Sequence, residues 1–232
     1  MDSKEQKSLS QIIEYRTKKI DELKNNNINP YPYKFNKDFD VSYILNHEND
    51  LSEQEFSTAG RIVSLRNMGK AAFMNIQDEF DKIQLYVKND LIGLENYDKI
   101  VKNLDIGDII GIKGVLFRTK TNQLSIKVSS LELLSKNIYP LPNMKEKDDH
   151  SFFAFEDKEN KYRYRHLDLI VNPKSKDIFK MRSSIIFKIR TLLNEKGFME
   201  VETPILQNLH GGASAKPFIT HHNALSQDFY LR

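Results

Sequence analysis

Ala71-Ala72-Phe73-Met74-Asn75-Ile76-Gln77 and, after three residues, Asp81-Lys82-Ile83-Gln84-Leu85-Tyr86-Val87-Lys88 form the stretch on which the fold turns. Both runs alternate with a period of two, the repeat of a strand with one buried and one open face. Ala72, Met74 and Ile76 share one parity in the first run, and Ile83, Leu85 and Val87 in the second. Phe73, Asn75, Gln84, Tyr86 and Lys88 take the other parity. On the N-terminal side, Phe56 to Arg66 reads as a preceding strand, with turns at residues 67–70 and 78–80. On the C-terminal side, Leu91, Leu94, Tyr97, Ile100, Val101 and Leu104 imply a helix closed by Asp105-Ile106-Gly107-Asp108. Two further strands follow, Ile109 to Phe117 and Leu124 to Leu134, joined by the polar turn at residues 119–122.

Three strands, a helix and two strands within about 80 residues is the order of the five-stranded OB barrel. If the apolar parity fills the barrel, the outer face of the second and third strands carries Phe73, Asn75, Gln84, Tyr86 and Lys88. Single-stranded nucleic acid asks for such a surface: a ring to stack a splayed base, amides for its Watson–Crick edge and positive charge for phosphate. By itself, Phe73 is equally compatible with a minor-core phenylalanine.

The flanking segments have a different character. Leu9, Ile12, Ile13, Tyr15, Ile20 and Leu23 recur at helical spacing over residues 8–24 before Asn25-Asn26-Asn27 and Pro30. This helix is expected to pack on the barrel, with Lys18, Lys19 and Lys24 available to a phosphate backbone. Residues 138–160, with Pro140, Pro142 and the charged run 145–149, read as a linker. Ile178, Met181, Ile185, Ile189 and Leu192, flanked by Phe179, Ile186 and Leu193, give residues 174–196 the broad apolar stripe of a helix buried on more than one side, against its own domain or a partner subunit. Gly197 sits where a helix would be capped, and Phe198 to Val201 reads as a strand stopped by Pro204. The expected organisation is α+β: a helical extension at 1–55, a barrel at 56–137, a linker at 138–160 and a second domain from 161 to 232.

With 39% hydrophobic and 29% charged residues, the composition excludes collagen-like, low-complexity and membrane-spanning classes. No apolar run approaches the roughly 18 residues of a membrane span, and the first residues lack the core of a secretion signal, so a cytoplasmic protein is expected. Cysteine is absent, which removes disulfides and thiolate metal sites. Residues 56–137 hold 12 Lys and Arg against 9 acids, and 161–232 hold 12 against 6, whereas 1–55 and 138–160 are acidic. Two modules that meet a polyanion would show this alternation, and so would solvated charge with no partner.

Several strings closely resemble those of class II lysyl-tRNA synthetases: Arg163-Tyr164-Arg165-His166-Leu167-Asp168-Leu169, Gly197-Phe198-Met199-Glu200-Val201-Glu202-Thr203-Pro204, Gly211-Gly212-Ala213-Ser214-Ala215-Lys216-Pro217-Phe218 and His221-His222-Asn223. The resemblance extends back through residues 68–73, 83–87 and 119–121 and so covers nearly the whole chain. It implies an anticodon-binding OB domain joined to a catalytic domain on an antiparallel sheet flanked by helices. It also implies attachment of lysine to lysine tRNA through lysyl-adenylate, with ATP as substrate and Mg2+ at the phosphates. Phe73 would stack on an anticodon base and Gln84 would bond a uridine edge, with Arg66 and Arg61 as weaker contacts. Gly211 would line the lysine pocket. The helix at 174–196 with the segment ending at Pro204 would form the first class-defining motif and much of a homodimer interface. Where the family pattern reads T-G-E-L-S, this chain has Thr121-Asn122-Gln123-Leu124-Ser125. A glutamate that contacts the anticodon is thus replaced by Gln123, and an amide both donates and accepts where a carboxylate only accepts.

Catalysis in that family rests on positioning and on charge neutralisation by arginine and Mg2+. After Arg190 the sole arginine is Arg232, and after Pro204 the sole acid is Asp228. No catalytic or metal-binding residue is therefore assigned within 1–232, and those groups are expected beyond Arg232. His221 and His222 are rejected as metal ligands because neighbours on a strand point to opposite faces. Two other readings remain at this stage: a stand-alone OB-fold RNA-binding module without catalysis, and an aspartyl- or asparaginyl-type class II synthetase.

Overall fold

The computed structural model describes residues 8–142, 144–147, 150–153, 157–211 and 216–231, with backbone alone for 144–147 and 150–153. It divides into two compact units, Met1–Lys161 and Tyr162–Arg232.

In the first unit, β1 (Phe56–Asn67), β2 (Ala71–Gln77), β3 (Lys82–Lys88), β4 (Ile109–Arg118) and β5 (Leu124–Ser135) close into a barrel. Their order is β1-β2-β3-β5-β4, with β3 and β5 parallel and the other pairs antiparallel. This is the OB arrangement. The alternation holds as written in the sequence: Ala72, Met74, Ile76, Ile83, Leu85 and Val87 are all buried. In β1 a bulge intervenes, since Ile62 pairs with Ile76 and Ser64 with the adjacent Asn75, leaving Val63 as the extra residue. Its effect is to switch parity, so that Ile62 and Leu65 both meet the core while Ser64 and Arg66 face out. Gly114 marks a close approach of β4 to β5, because a Cβ there would lie 2.3 Å from the Lys127 carbonyl oxygen.

The helix expected at 91–104 is interrupted. Gly93, at φ 85°, separates α3 (Asn89–Ile92) from α4 (Leu94–Lys99), and a 3-10 turn follows at Val101–Asn103. Ile92, Tyr97, Val101 and Leu104 still bury into the barrel core. The apolar spacing carries through, but a glycine with positive φ within it ends one helix and starts the next.

The N-terminal segment shares this core. Ser8 and Gln11 form a reciprocal capping box that starts α1 (Leu9–Asn25). This helix docks by its C-terminal half through Ile20 and Leu23, whereas Leu9 and Tyr15 stay exposed. Leu23, Leu51, and Val41 and Ile44 of α2 (Val41–Asn46), lie in the same apolar cluster as the barrel strands. Lys19 is not available to phosphate: it is buried, with Nζ 2.8 Å from Asp105 Oδ1. Arg16 donates to the carbonyls of Asn137 and Ile106. Beside them Lys136 Nζ, wholly buried, donates to Asp105 Oδ2 at 2.5 Å, Asp108 Oδ2 at 2.7 Å and Asn103 O at 2.8 Å. Within the segment read as a linker, β6 (Met144–Lys147) and β7 (His150–Phe153) pair as an antiparallel hairpin.

The second unit holds α6 (Arg165–Val171), α7 (Pro173–Glu195) and an antiparallel sheet. A short helix, α5 (Lys158–Arg163), spans the boundary between the units. The sheet is β8 (Leu206–Gln207), β9 (Ile219–His222) and β10 (Gln227–Leu231) in the order β8-β10-β9. Arg165 ties α6 down: Nη1 lies 2.6 Å from the buried Asp168 carboxylate, and its guanidinium sits over the Tyr162 and Phe179 rings. Gly197, at φ 84°, follows α7, and the N–H groups of Phe198 and Gly197 close back on the carbonyls of Leu193 and Asn194. That closure corrects the strand expected at Phe198 to Val201. Phe198 is consumed in capping the helix, and the chain runs without regular structure until β8. Within this chain α7 stays uncovered, since no α7 residue is buried and Ile178 is 67% and Met181 65% exposed, so burial against its own domain is not found and burial against a partner subunit stays an expectation. Only α6 packs along it to any extent, so its stripe stays open among the described residues.

Candidate nucleic-acid interface

Phe73 and Tyr86 are register partners across β2 and β3, with ring centroids 5.1 Å apart. The Tyr86 ring lies 5.9 Å from that of Phe117 on β4. These three rings line a cleft of about 720 Å3 on the outer face of the barrel, together with Gln84, Gln123, Arg66 and Lys120. The lining contains two cations and no acid. Rings, amides and positive charge on one wall can stack unpaired bases, bond their edges and neutralise the backbone beside them.

The amides are held from below and beside. Ser125 Oγ donates to Gln84 Oε1 at 2.9 Å. Asn75, the register partner of Gln84, donates from Nδ2 to Ser64 Oγ at 2.7 Å. The β4–β5 loop that presents Lys120 and Gln123 turns at Asn122, whose φ of 61° is a left-handed conformation that asparagine tolerates. This explains how Asn122 stands where the family pattern has glycine. Arg118 clamps the loop by donating to both carboxylate oxygens of Glu48, at 2.8 and 2.6 Å, and to Asn122 O at 2.9 Å. The hydrogen bond and charge of Glu48 raise the Arg118 guanidinium pKa further above its ordinary value.

Phe73, Gln84, Gln123 and Arg66 thus meet in one cleft, and Arg61 stands apart from it. Arg61 is half-buried and donates from Nη1 to Gly107 O at 2.8 Å, and burial lowers its pKa against the opposing pull of Asp108. Lys88, on the expected face, pairs instead with Asp90 at 2.5 Å. Phe117 and Ser64 were not anticipated from the sequence. Phe117 had a signal, as an aromatic residue beside the inward Leu116 at the mouth of a polar turn. Ser64 had none, because the β1 bulge sets its direction.

In the second unit Pro204 is exposed in the irregular stretch before β8. Gly211 is exposed too, and a Cβ there would come 3.3 Å from Gln207 Oε1. The rest of that small-residue run, 212–215, lies outside the described residues. His221 Nδ1 is 2.7 Å from Asp228 Oδ1, and the His222 ring lies by Phe229. Among the described residues no three His, Asp or Glu side chains gather as metal ligands.

Residues 56–134 match the family described as OB-fold nucleic acid binding domain, and residues 157–232 match tRNA synthetases class II (D, K and N). Residues 157–232 belong to the class II tRNA synthetase family. Similar curated proteins include the lysine–tRNA ligase of Fusobacterium nucleatum, 46% identical over 221 residues, which cover 95% of this chain and 43% of that protein. The lysine–tRNA ligase of Azobacteroides pseudotrichonymphae is 47% identical over 94% of this chain and 45% of its own length. That of Magnetococcus marinus is 42% identical over 98% and 45%. The chain therefore spans less than half the length of the curated relatives it matches. No helix among its described residues is long and apolar enough to cross a membrane.

Proposed function

We propose that this chain is the anticodon-reading and opening catalytic part of a lysine–tRNA ligase that works in the cytoplasm. The observation that carries the reading is the acid-free cleft in which Phe73, Tyr86 and Phe117 stand beside Gln84, Gln123, Arg66 and Lys120. In the proposed reaction the lysine carboxylate attacks the α-phosphorus of ATP and pyrophosphate leaves. The terminal ribose hydroxyl of lysine tRNA then takes the lysyl group and AMP leaves. The barrel's part is binding and orientation, since holding the anticodon places the far end of the tRNA for the second step. Gly211 would let the backbone approach the bound lysine closely. The open stripe of α7 and the segment to Pro204 would pack in a homodimer.

The described residues do not fit a Mg2+ site, because they gather no carboxylate cluster and Asp228 is held by His221. No step is assigned to a metal on this chain. The high identity to lysine–tRNA ligases favours lysine over the aspartate and asparagine branches of the family, and the match at 157–232 weighs against a stand-alone RNA-binding module. ATP–pyrophosphate exchange by the whole protein tests the proposal: lysine should drive it and aspartate and asparagine should not. Exchange driven by either competitor would refute the substrate assignment.

A further inference from the structure

Ser125 lies on the outward parity of β5, yet it is fully buried between its register partners Gln84 on β3 and Phe117 on β4. Resting on the reading of the cleft as an anticodon site, we infer that Ser125 is a positioning residue that decides which hydrogen-bonding group Gln84 offers to a base. A serine hydroxyl carries one proton. Its two acceptors here are Gln84 Oε1 at 2.9 Å and Gln123 O at 3.3 Å, and the shorter contact takes the proton. With Oε1 engaged below, the amide is fixed with Nε2 on its other side. Gln84 lines the cleft, and among the described residues no partner is recorded for Nε2.

Gln84 therefore meets a base as a donor. Uracil presents the O4 carbonyl, an acceptor, where cytosine presents its N4 amino group, a donor. A fixed donor accepts the first and opposes the second. A glutamine without an anchor turns its amide over and serves both bases, because one end donates and the other accepts. Turned over, the amide would give Nε2–H to the hydroxyl, but the hydroxyl proton would then have only Gln123 O at 3.3 Å, so Ser125 biases the amide toward the orientation that reads uridine, from a position at which it touches no RNA.

The test uses the whole chain and a stem-loop RNA with three unpaired uridines, alongside three versions in which one uridine is changed to cytidine. Wild type should prefer uridine at one position, and Gln84→Met should abolish that preference. Ser125→Ala should lower the uridine-to-cytidine ratio roughly tenfold, chiefly by tightening the cytidine RNA. Ser125→Thr, which keeps the hydroxyl, should preserve the ratio. If Ser125→Ala weakens all four RNAs together and leaves the ratio intact, Ser125 is structural and the inference is overturned while the cleft reading stands. If wild type shows no preference at any position, or Gln84→Met keeps it, the cleft reading itself fails and takes the inference with it.

Discussion

Replacing Lys136 by methionine removes a buried cation and keeps most of its stem. Lys136 Nζ and the Asp108 carboxylate are both wholly buried and 2.7 Å apart. Asp105, one-fifth exposed, keeps Lys19 as a second cation when Lys136 is lost. Asp108 keeps as hydrogen-bond donors only the backbone N–H groups of Asn137 and Asp105, with the Arg61 charge acting on it from further away. Breaking a buried pair from one side costs about 3–5 kcal/mol, because it leaves an uncompensated charge. Burial already raises the Asp108 pKa above its ordinary 3.8, and Lys136 and the two N–H groups offset this only in part. Without Lys136 the raised value climbs further, so partial protonation relieves the cost and places it near the lower end of that range, about 3 kcal/mol at pH 7. A carboxyl with a raised folded pKa binds more protons folded than unfolded, so its penalty grows as pH rises through the window and shrinks on acidification. Urea unfolding followed by circular dichroism at pH 7 and pH 5 should show the larger loss at pH 7, and adding Asp108→Asn should recover much of it. A loss under about 1 kcal/mol at pH 7, or one that grows toward pH 5, would refute the reasoning.

Further outcomes follow from single observations. Gly114→Ala would drive a Cβ against the Lys127 backbone carbonyl and should cost about 1–3 kcal/mol or more in thermal unfolding, whereas a neutral result would contradict the close approach of β4 and β5. Hydrogen bonds from the Ser57 hydroxyl and backbone hold the Asp38 carboxyl below its ordinary 3.8. Its contribution is therefore full above that pH and lost as pH falls through the depressed value, and Asp38→Asn should flatten the acid limb of a stability–pH curve. Lys120→Ala should reduce the salt dependence of RNA binding by a slope of about 0.7, the share of one single-strand phosphate contact. Arg61→Ala, away from the cleft, should leave that slope unchanged and lower the unfolding midpoint; a change in slope would place it at the RNA after all.

β2 and β3 were legible in the sequence because nothing interrupts their alternation, and the face they expose was legible with them. β1 was less so. Arg61 and Arg66 lie five residues apart and by simple alternation point opposite ways, but the bulge at Val63 brings both outward and only Arg66 reaches the cleft. Lys19 carried the signal of a solvated charge, since its partner Asp105 is 86 residues away and no local pattern reports such a pairing. Phe198 to Val201 has strand-like residues, yet the capping of α7 claims Phe198 first. The stripe on α7 was visible in the sequence, whereas what covers it was not, because amphipathic spacing reports a face and says nothing of its partner. Ser125 is polar and outward by parity, so its burial became visible only once β3 and β4 flanked it.

The most direct measurement is the affinity of the chain for a stem-loop RNA with unpaired uridines before and after Phe73→Ala. Loss of one stacked base should weaken binding by about 1–3 kcal/mol, roughly 5- to 150-fold, with the fold of the barrel unchanged. Equal affinity for the two proteins would mean that the ring holds no base and that the cleft is not where the RNA is read.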